Sequence, residues 1–329
     1  MKTILKWVGI FVGGLAVLIV LAFAAIYSKS QSRLTRVYEL PQETVPVLSD
    51  PASIAQGGHI FRFRGCEACH SGGEYLDLAE THQPLNEHLS VPSQEDIPRM
   101  EGHIYLDDPA LGKVVASNLT SGRGGAGGEY SDRDWVRAIR HGVRPDGTPL
   151  LFMPSTEFYY LSDEDLGALI SYIKSAPPVD HELPASTVSL TGRIVMTLVP
   201  DITFIPAELI AHEASRPAAP EPGITSEYGE YLTYSCKVCH GLTLSGGPMP
   251  GFPASGPAAP NLTFGEGSAL PAWTEQGFID TLRTGMTPDG REVRGEYMPW
   301  GSYKHMNDEE MKAVWVYLQS LPELAHGNR

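Results

Sequence analysis

Trp7–Tyr27 reads WVGIFVGGLAVLIVLAFAAIY, 21 positions without a charge. An α-helix of about 20 apolar residues crosses the hydrocarbon core of a bilayer, and this run lacks the polar face of a buried core helix. It predicts an uncleaved anchor over 1–28. A cleaved signal peptide is the rival reading, since Ala22-Phe23-Ala24 resembles a small-x-small cleavage site. The apolar region of such a peptide runs only about 7–15 residues, however. Further along, the apolar positions recur at helical spacing. Ser162 followed by Asp163-Glu164-Asp165 reads as an N-cap and acidic first turn. Leu166, Leu169, Ile170 and Ile173 then share one face of a helix ending near Ser175. Asn307 opens a matching helix with Met311, Val314, Trp315 and Leu318 on its face. Capped helices are predicted at 131–141, carrying Trp135 and Ile139, and at 274–284, with further helices over 53–65 and 225–235. Few runs alternate as strands do, so the predicted class is mainly α.

The chain repeats itself. RHGVRPDG (140–147) and RTGMTPDG (283–290) agree at five of eight positions, 143 residues apart. Asn118-Leu119-Thr120 and Asn261-Leu262-Thr263 keep that spacing; Met153-Pro154 and Met298-Pro299 are 145 apart, as are the helices 161–175 and 306–320. Landmarks that keep their order over this distance indicate two copies of one domain. The expected organisation is an anchor (1–28), a juxtamembrane linker (29–50), a first domain (51–176), a Pro-rich linker (177–223) and a second domain (224–329). The first copy carries an insertion within 71–117. It is polar, has little periodicity and reads as a surface excursion. In the linker, Ile194–Ile210 is apolar but broken by Pro200, Asp201 and Pro206. That predicts a segment packed across one or both domains rather than a second membrane span.

Composition narrows the function. With 24 basic and 39 acidic residues, the net charge is −15, which argues against nucleic-acid binding. The four cysteines form two close pairs, Cys66/Cys69 and Cys236/Cys239, and leave none over for a disulfide framework. Each pair lies in a C-x-x-C-H motif, CEACH (66–70) and CKVCH (236–240). This is the c-type haem attachment pattern. Two thiols about one helical turn apart can each add to a vinyl group of one porphyrin, and the adjoining His70 or His240 is carried beneath the ring to bind iron. A dithiol or zinc site is the alternative; it would make both histidines coincidental. Met153 and Met298, each followed by Pro and equivalent in the repeat, are the expected ligands on the opposite face, a pairing that raises the reduction potential. Met249 has no counterpart in the first copy, and Met286 aligns with Val143. His82, His88 and His103 read as solvated residues of the insertion, and His141 and His305 as structural or surface residues. Arg140 and Arg283 read equally as haem-propionate partners or as exposed helix-end residues.

The segments CHGLTLSGG, APNLT, LRTGMTPDGREV, EYMPW and MNDEEMKAVWVYLQSLP, with SNLTSGRGG, YSDRDWVRAIRHGVRPDG and FMPSTEFYYLSDEDL in the first copy, resemble class I cytochrome c domains. They are most similar to the multi-haem cytochrome subunits of membrane-bound alcohol and aldehyde dehydrogenases. The resemblance covers roughly 53–175 and 225–323. It implies thioether attachment at Cys66, Cys69, Cys236 and Cys239, proximal ligands His70 and His240, and distal ligands Met153 and Met298. The chain departs from those subunits in having two haem sites, where they usually have three, and in its N-terminal anchor.

The expectation is therefore two tandem class I cytochrome c domains behind a single transmembrane helix, carrying two covalent haem c groups. The expected role is the relay of single electrons, either as an electron-transfer protein or as the electron-transfer subunit of an oxidoreductase complex. Its expected partners are redox proteins: a dehydrogenase, a quinol-oxidising complex, an oxidase or a soluble cytochrome. Charges flanking the apolar span are nearly balanced, but haem c attachment outside the cytoplasm predicts the bacterial inner membrane with the haem domains on the periplasmic side. Two alternatives stand beside this reading: a dihaem peroxidase-like enzyme with one open haem, and a haem-based redox or gas sensor that signals through a separate partner.

Overall fold

The computed structural model describes residues 2–71, 98–199, 202–216, 218–249, 256–295 and 297–328. The architecture is mainly helical. Helix α1 (Lys2–Leu34) contains the apolar run, whose side chains are exposed along the span. Its 33 residues extend about 50 Å, well beyond a hydrocarbon core of about 30 Å, so its last turns project clear of the apolar segment. It fits a membrane anchor. An extended segment leads to α2 (Pro51–Phe63), capped by Asp50, which accepts N–H bonds from Ala52 and Ser53. The short α3 (Cys66–His70) follows at once.

Strands β1 (His103–Asp108) and β2 (Gly112–Ala116) form an antiparallel hairpin. Helices α4 (Asp132–His141), α5 (Ser155–Phe158) and α6 (Asp163–Ser175) come next. The linker supplies β3 (Thr187–Val188), which pairs with β2, and α7 (Leu190–Leu198). Then come α8 (Ser226–Leu232), α9 (Tyr234–His240), a two-residue bridge of β4 (Gly247–Pro248) with β5 (Ala258–Ala259), and α10 (Glu275–Thr284), α11 (Trp300–Tyr303) and α12 (Asp308–Ser320).

The predicted helices are present, with Ser131, Ser162, Thr274 and Asn307 as N-caps. Two expectations change. The end of the insertion is a β-hairpin rather than irregular surface chain; a register irregularity between Ile104 and Leu106 breaks its alternation, and the further strand β3 comes from some seventy residues downstream. His82 and His88 lie outside the described residues. The linker does pack, and it packs on the first half: α7 lies against α1, and Phe204 and Ile205 join Tyr38, Val143 and Met196 in a small core of their own. Arg193 reaches Ser30 Oγ and Gln31 Oε1 on α1, and Arg33 pairs with Glu208. The anchor is thus fixed to the body by its last turns.

The two halves repeat in detail. Helix α2 crosses α6 with Gly57 so close to the Ala168 carbonyl that a Cβ would fall 2.0 Å from its oxygen; α8 crosses α12 with Gly229 in the same relation to Ala313, again at 2.0 Å. Only glycine permits such an approach. The Asn118 side chain accepts from Thr120 N and donates to Val179 O at 2.8 Å, while Asn261 accepts from Thr263 N and donates to Leu324 O at 2.8 Å. One hydrophobic core takes residues from both halves, among them Phe61, Leu166 and Leu169 with Leu232, Met311 and Leu318.

Candidate functional site

In the first half, α2 runs directly into the five-residue α3, so Cys66, Cys69 and His70 leave the end of one buried helix. They form a wall of a cavity of about 410 Å³. Met153 lines the same cavity from the loop before α5, and Leu119, Trp135, Ile139 and Ile173 make it apolar. His70 is buried, and its Nδ1 lies 2.8 Å from the Ser117 carbonyl oxygen. That contact needs a proton on Nδ1 and so leaves the Nε2 lone pair for a metal, the arrangement that orients ligating histidines. Burial also pushes the His70 pKa down, which keeps the imidazole neutral. The Met153 carbonyl accepts from Ser155 N at 2.7 Å, so the turn at Pro154 fixes where the thioether starts.

The second half repeats these relations. His240 is buried with Nδ1 2.9 Å from the Pro260 carbonyl, the residue equivalent to Ser117. The Met298 carbonyl accepts from Trp300 N at 2.7 Å, and the backbone at Pro299 (φ −76°, ψ 54°) matches Pro154 (φ −77°, ψ 53°). Met298 packs against the shared core, as Met153 does. Burial pushes the Cys66 thiol up to about 12, with Cys69 adding to the effect, and the Cys69 and Cys236 thiols to about 11.

The donor set fits haem c: two thiols and an imidazole on one short helix, a thioether on the opposite loop, and apolar walls between them. The cavity also presents polar groups that sequence reasoning did not single out. Trp135 Nε1 is buried with no acceptor among the described residues, and Tyr130 and Arg144 line the same wall. These are donors suited to an anionic substituent of the group. No sequence signal marks them, because Trp135 reads as an ordinary core position on α4.

Arg140 is not an exposed residue, and it is not among the residues that line the cavity. It is fully buried and bonds Glu43 at 2.8 Å, the Leu161 carbonyl at 2.8 Å and Asp163 at 2.9 Å. Glu43 also receives both Nη atoms of Arg216 at 3.0 Å. Burial pushes the Glu43 carboxyl up, but donors on His141, Arg140 and Arg216 outweigh it and bring it down to about 2. His141 is buried, with its Nδ1 2.9 Å from Nδ1 of His212. Arg283 is half-exposed and bonds the Lys304 carbonyl and Asp308. His103 is half-buried on β1 rather than solvated, close enough to His70 for its charge to be felt there. Burial, with Lys304 and Arg62 adding to it, pushes His305 down to about 4.

The two CxxCH segments approach one another across the junction between the halves. Tyr231 on α8 donates to Asp165 at the start of α6 at 2.5 Å; in the equivalent place, His59 on α2 lies 2.8 Å from Glu310 at the start of α12. Tyr160 stacks on Tyr234 with centroids 4.4 Å apart. Arg64, two residues before Cys66, places Nη1 3.3 Å from the Leu232 carbonyl and 3.2 Å from Ser235 Oγ, next to Cys236.

Residues 227–322 match the sequence model of the Cytochrome c family. Over 315 residues the chain is 25% identical to the fructose dehydrogenase cytochrome subunit of Gluconobacter japonicus, covering 90% of this chain and 58% of that protein. Over 301 residues it is 26% identical to the alcohol dehydrogenase (quinone) cytochrome c subunit of Gluconobacter oxydans (strain 621H), covering 85% and 57%. Over 308 residues it is 25% identical to the gluconate 2-dehydrogenase cytochrome c subunit of Pantoea cypripedii, covering 83% and 60%. The chain spans less than two thirds of the length of these relatives. It carries a cytochrome c domain and resembles the cytochrome subunits of dehydrogenases.

Proposed function

We propose that the protein is a membrane-anchored dihaem cytochrome c, built from two tandem cytochrome c domains (51–176 and 224–329), that relays single electrons from a dehydrogenase or quinol-linked donor to an acceptor cytochrome or oxidase. The observation that carries this reading is the recurrence, around both CxxCH motifs, of one set of contacts: the His Nδ1–carbonyl bond, the Met-Pro turn and the Asn side-chain clamp. A haem c held there supplies a one-electron couple whose potential the protein sets through ligand identity, burial and charge.

The chain's own residues do the rest. Cys66, Cys69, Cys236 and Cys239 would tether the two groups covalently. His70 and His240, their tautomer fixed by backbone carbonyls, would hold the groups together with Met153 and Met298. Held by these ligands, the groups would leave substrate no coordination position and would supply outer-sphere electron exchange. The α1 helix confines the relay to the membrane, with the haem domains on the periplasmic side of the bacterial inner membrane. The surface charge that accompanies a net −15 favours basic partner surfaces and makes association rates fall with salt.

The test is an optical spectrum of the purified chain, oxidised, reduced, and reduced under carbon monoxide, with haem counted per chain as the pyridine complex. Two covalent haems, a Met–iron charge-transfer band and no carbon monoxide shift are expected. One haem per chain, or a carbon monoxide shift, would overturn two closed His/Met sites and favour the peroxidase-like or sensor reading.

A further inference from the structure

Arg64 is a buried cation that the relay as described does not use. It is 7% exposed and stands over the Phe63 ring at 4.8 Å, and its Nε has no acceptor among the described residues. Although it belongs to the first half, its hydrogen bonds go to Leu232 and Ser235 of the second. Its charge is felt at the Glu157 carboxyl and at Cys66 and Cys236; at Cys236 it comes next after burial, ahead of the opposing Glu157.

The equivalent position does not return this charge, although Lys304 of the second half acts on Glu67. The position two residues before Cys236 is Tyr234, which stacks on Tyr160. The motifs themselves differ in the same sense. The residue after the first cysteine is Glu67 in one and Lys237 in the other. Glu67 is half-buried, its Oε1 unpaired among the described residues and Arg62 3.8 Å away; Lys237 lies over the Tyr234 ring, 3.3 Å from Glu230. The second motif therefore carries a cation where the first carries a carboxylate, while Arg144 stands on the wall of the first cavity.

We infer that Arg64, acting across the junction, makes the Cys236–Cys239 haem the higher-potential member of the pair, so that electrons pass from the first half to the second and leave the protein there. This rests on the dihaem reading. The physical ground is Coulombic: the oxidised iron carries one more positive charge than the reduced iron, so a fixed cation nearby disfavours the oxidised form and raises the potential. In the internal step the first site is oxidised by one electron while the second is reduced by one. No bond forms or breaks and no proton is transferred. Arg64 is a positioning residue for charge and touches no reacting atom in this account.

Redox titration of the full chain in detergent, followed optically at one pH, tests the inference on wild type, Arg64→Met, Arg64→Lys and Met298→His. Haem is counted first: one haem per chain refutes the dihaem reading itself, separately from the order of the sites. With two haems, Met298→His lowers the upper wave, since His/Met ligation is the high-potential pairing. Arg64→Met lowers the upper wave more than the lower, changing the partition of one electron between the sites by about tenfold, 59 mV for a one-electron couple. Arg64→Lys keeps the wild-type separation. The inference is overturned if Met298→His moves the lower wave, or if Arg64→Met leaves the partition within about twofold of wild type. Should Arg64→Met fail to accumulate, Arg64→Gln makes the same comparison, and Met298→His tests the order without touching Arg64.

Discussion

Arg140 and Arg283 occupy the same place in the repeat, at the end of α4 and α10, and both bond the start of the following long helix through Asp163 and Asp308. Their surroundings differ completely. The first half is wrapped by the segment after the anchor and by the linker, which bring Glu43 and Arg216 over Arg140 and bury it; nothing covers Arg283 in that way among the described residues. The same sequence landmark thus becomes a buried ion network in one half and a surface pair in the other. The repeat specifies the backbone contacts around the two Cys/His/Met sets, and the segments outside the repeat specify the electrostatics.

Separate substitutions at the two arginines should give the largest contrast. Removing one member of a buried ion network costs about 3–5 kcal/mol, whereas an exposed pair is worth about 0–1 kcal/mol. Arg140→Met is therefore expected to destabilise severely and Arg283→Met hardly at all, measured by urea unfolding of the purified chain. Equal losses would show that the wrapping segments do not isolate Arg140 as described.

Gly57 and Gly229 make the opposite comparison, because here the halves agree. A Cβ at either position meets a carbonyl oxygen at 2.0 Å, so the helices must move apart, an overpacking cost of about 1–3 kcal/mol. Gly57→Ala and Gly229→Ala should lose similar stability and loosen the α2–α6 and α8–α12 crossings respectively. A loss at only one of them would separate the halves in packing as well as in charge.

Much of this was legible in the sequence where the cause is local. Helix caps, apolar faces and the CxxCH spacing are written within a few residues, and α4, α6, α10 and α12 lie where periodicity places them. The recurrence of PDG, NLT and Met-Pro located the loops that face each CxxCH helix. What was not legible depends on distant segments. Arg140 could be read as a haem partner or a surface residue because Glu43 and Arg216 are each more than seventy positions away. The pairing of β3 with β2 was hidden for the same reason, and Trp135 gave no sign that it lines a cavity.

Acid tests the comparison further, because each half holds a group that folding shifts: Glu43 and His212 in the wrapped half, His305 in the other. Glu43 is brought down to about 2, below its unfolded value of about 4.3. Its contribution is fully present above that unfolded value and is lost as pH falls toward 2. Burial, with the neighbouring His141 charge, lowers His212, so the fold favours its neutral form; stability from this source declines once pH drops below about 6.5. Only one of the two facing Nδ1 atoms in the His141–His212 pair can carry the shared proton, so a second proton breaks the contact. Both halves are expected to loosen between pH 6.5 and 3, the first around Glu43 and His212 and the second around His305, followed by amide hydrogen exchange. Glu43→Gln should flatten the lower part of that dependence, and an unchanged profile in Glu43→Gln would remove Glu43 as its source.

The smallest effect concerns the caps of α4 and α10, which sit at equivalent positions with different chemistry. Ser131 accepts from Asp134 N while the Asp134 carboxylate accepts from Ser131 N at 3.1 Å, a reciprocal box. Thr274 accepts from Gly277 N at 3.1 Å, and glycine offers no side chain to bond back. Losing a side-chain cap costs about 1 kcal/mol. Ser131→Ala also releases the hydroxyl that holds the Asp134 carboxylate at 2.6 Å, so it should cost somewhat more than Thr274→Ala, with both inside about 0.5–2 kcal/mol. Helix α4 carries Trp135 and Ile139 into the cavity wall, and these residues share one core with their α10 equivalents Phe278 and Leu282. Ser131→Ala should therefore perturb Trp135, and Thr274→Ala should act through Phe278 on Trp315, 5.4 Å away between ring centroids. A larger loss for Thr274→Ala would mean that the reciprocal bond adds nothing to the first cap.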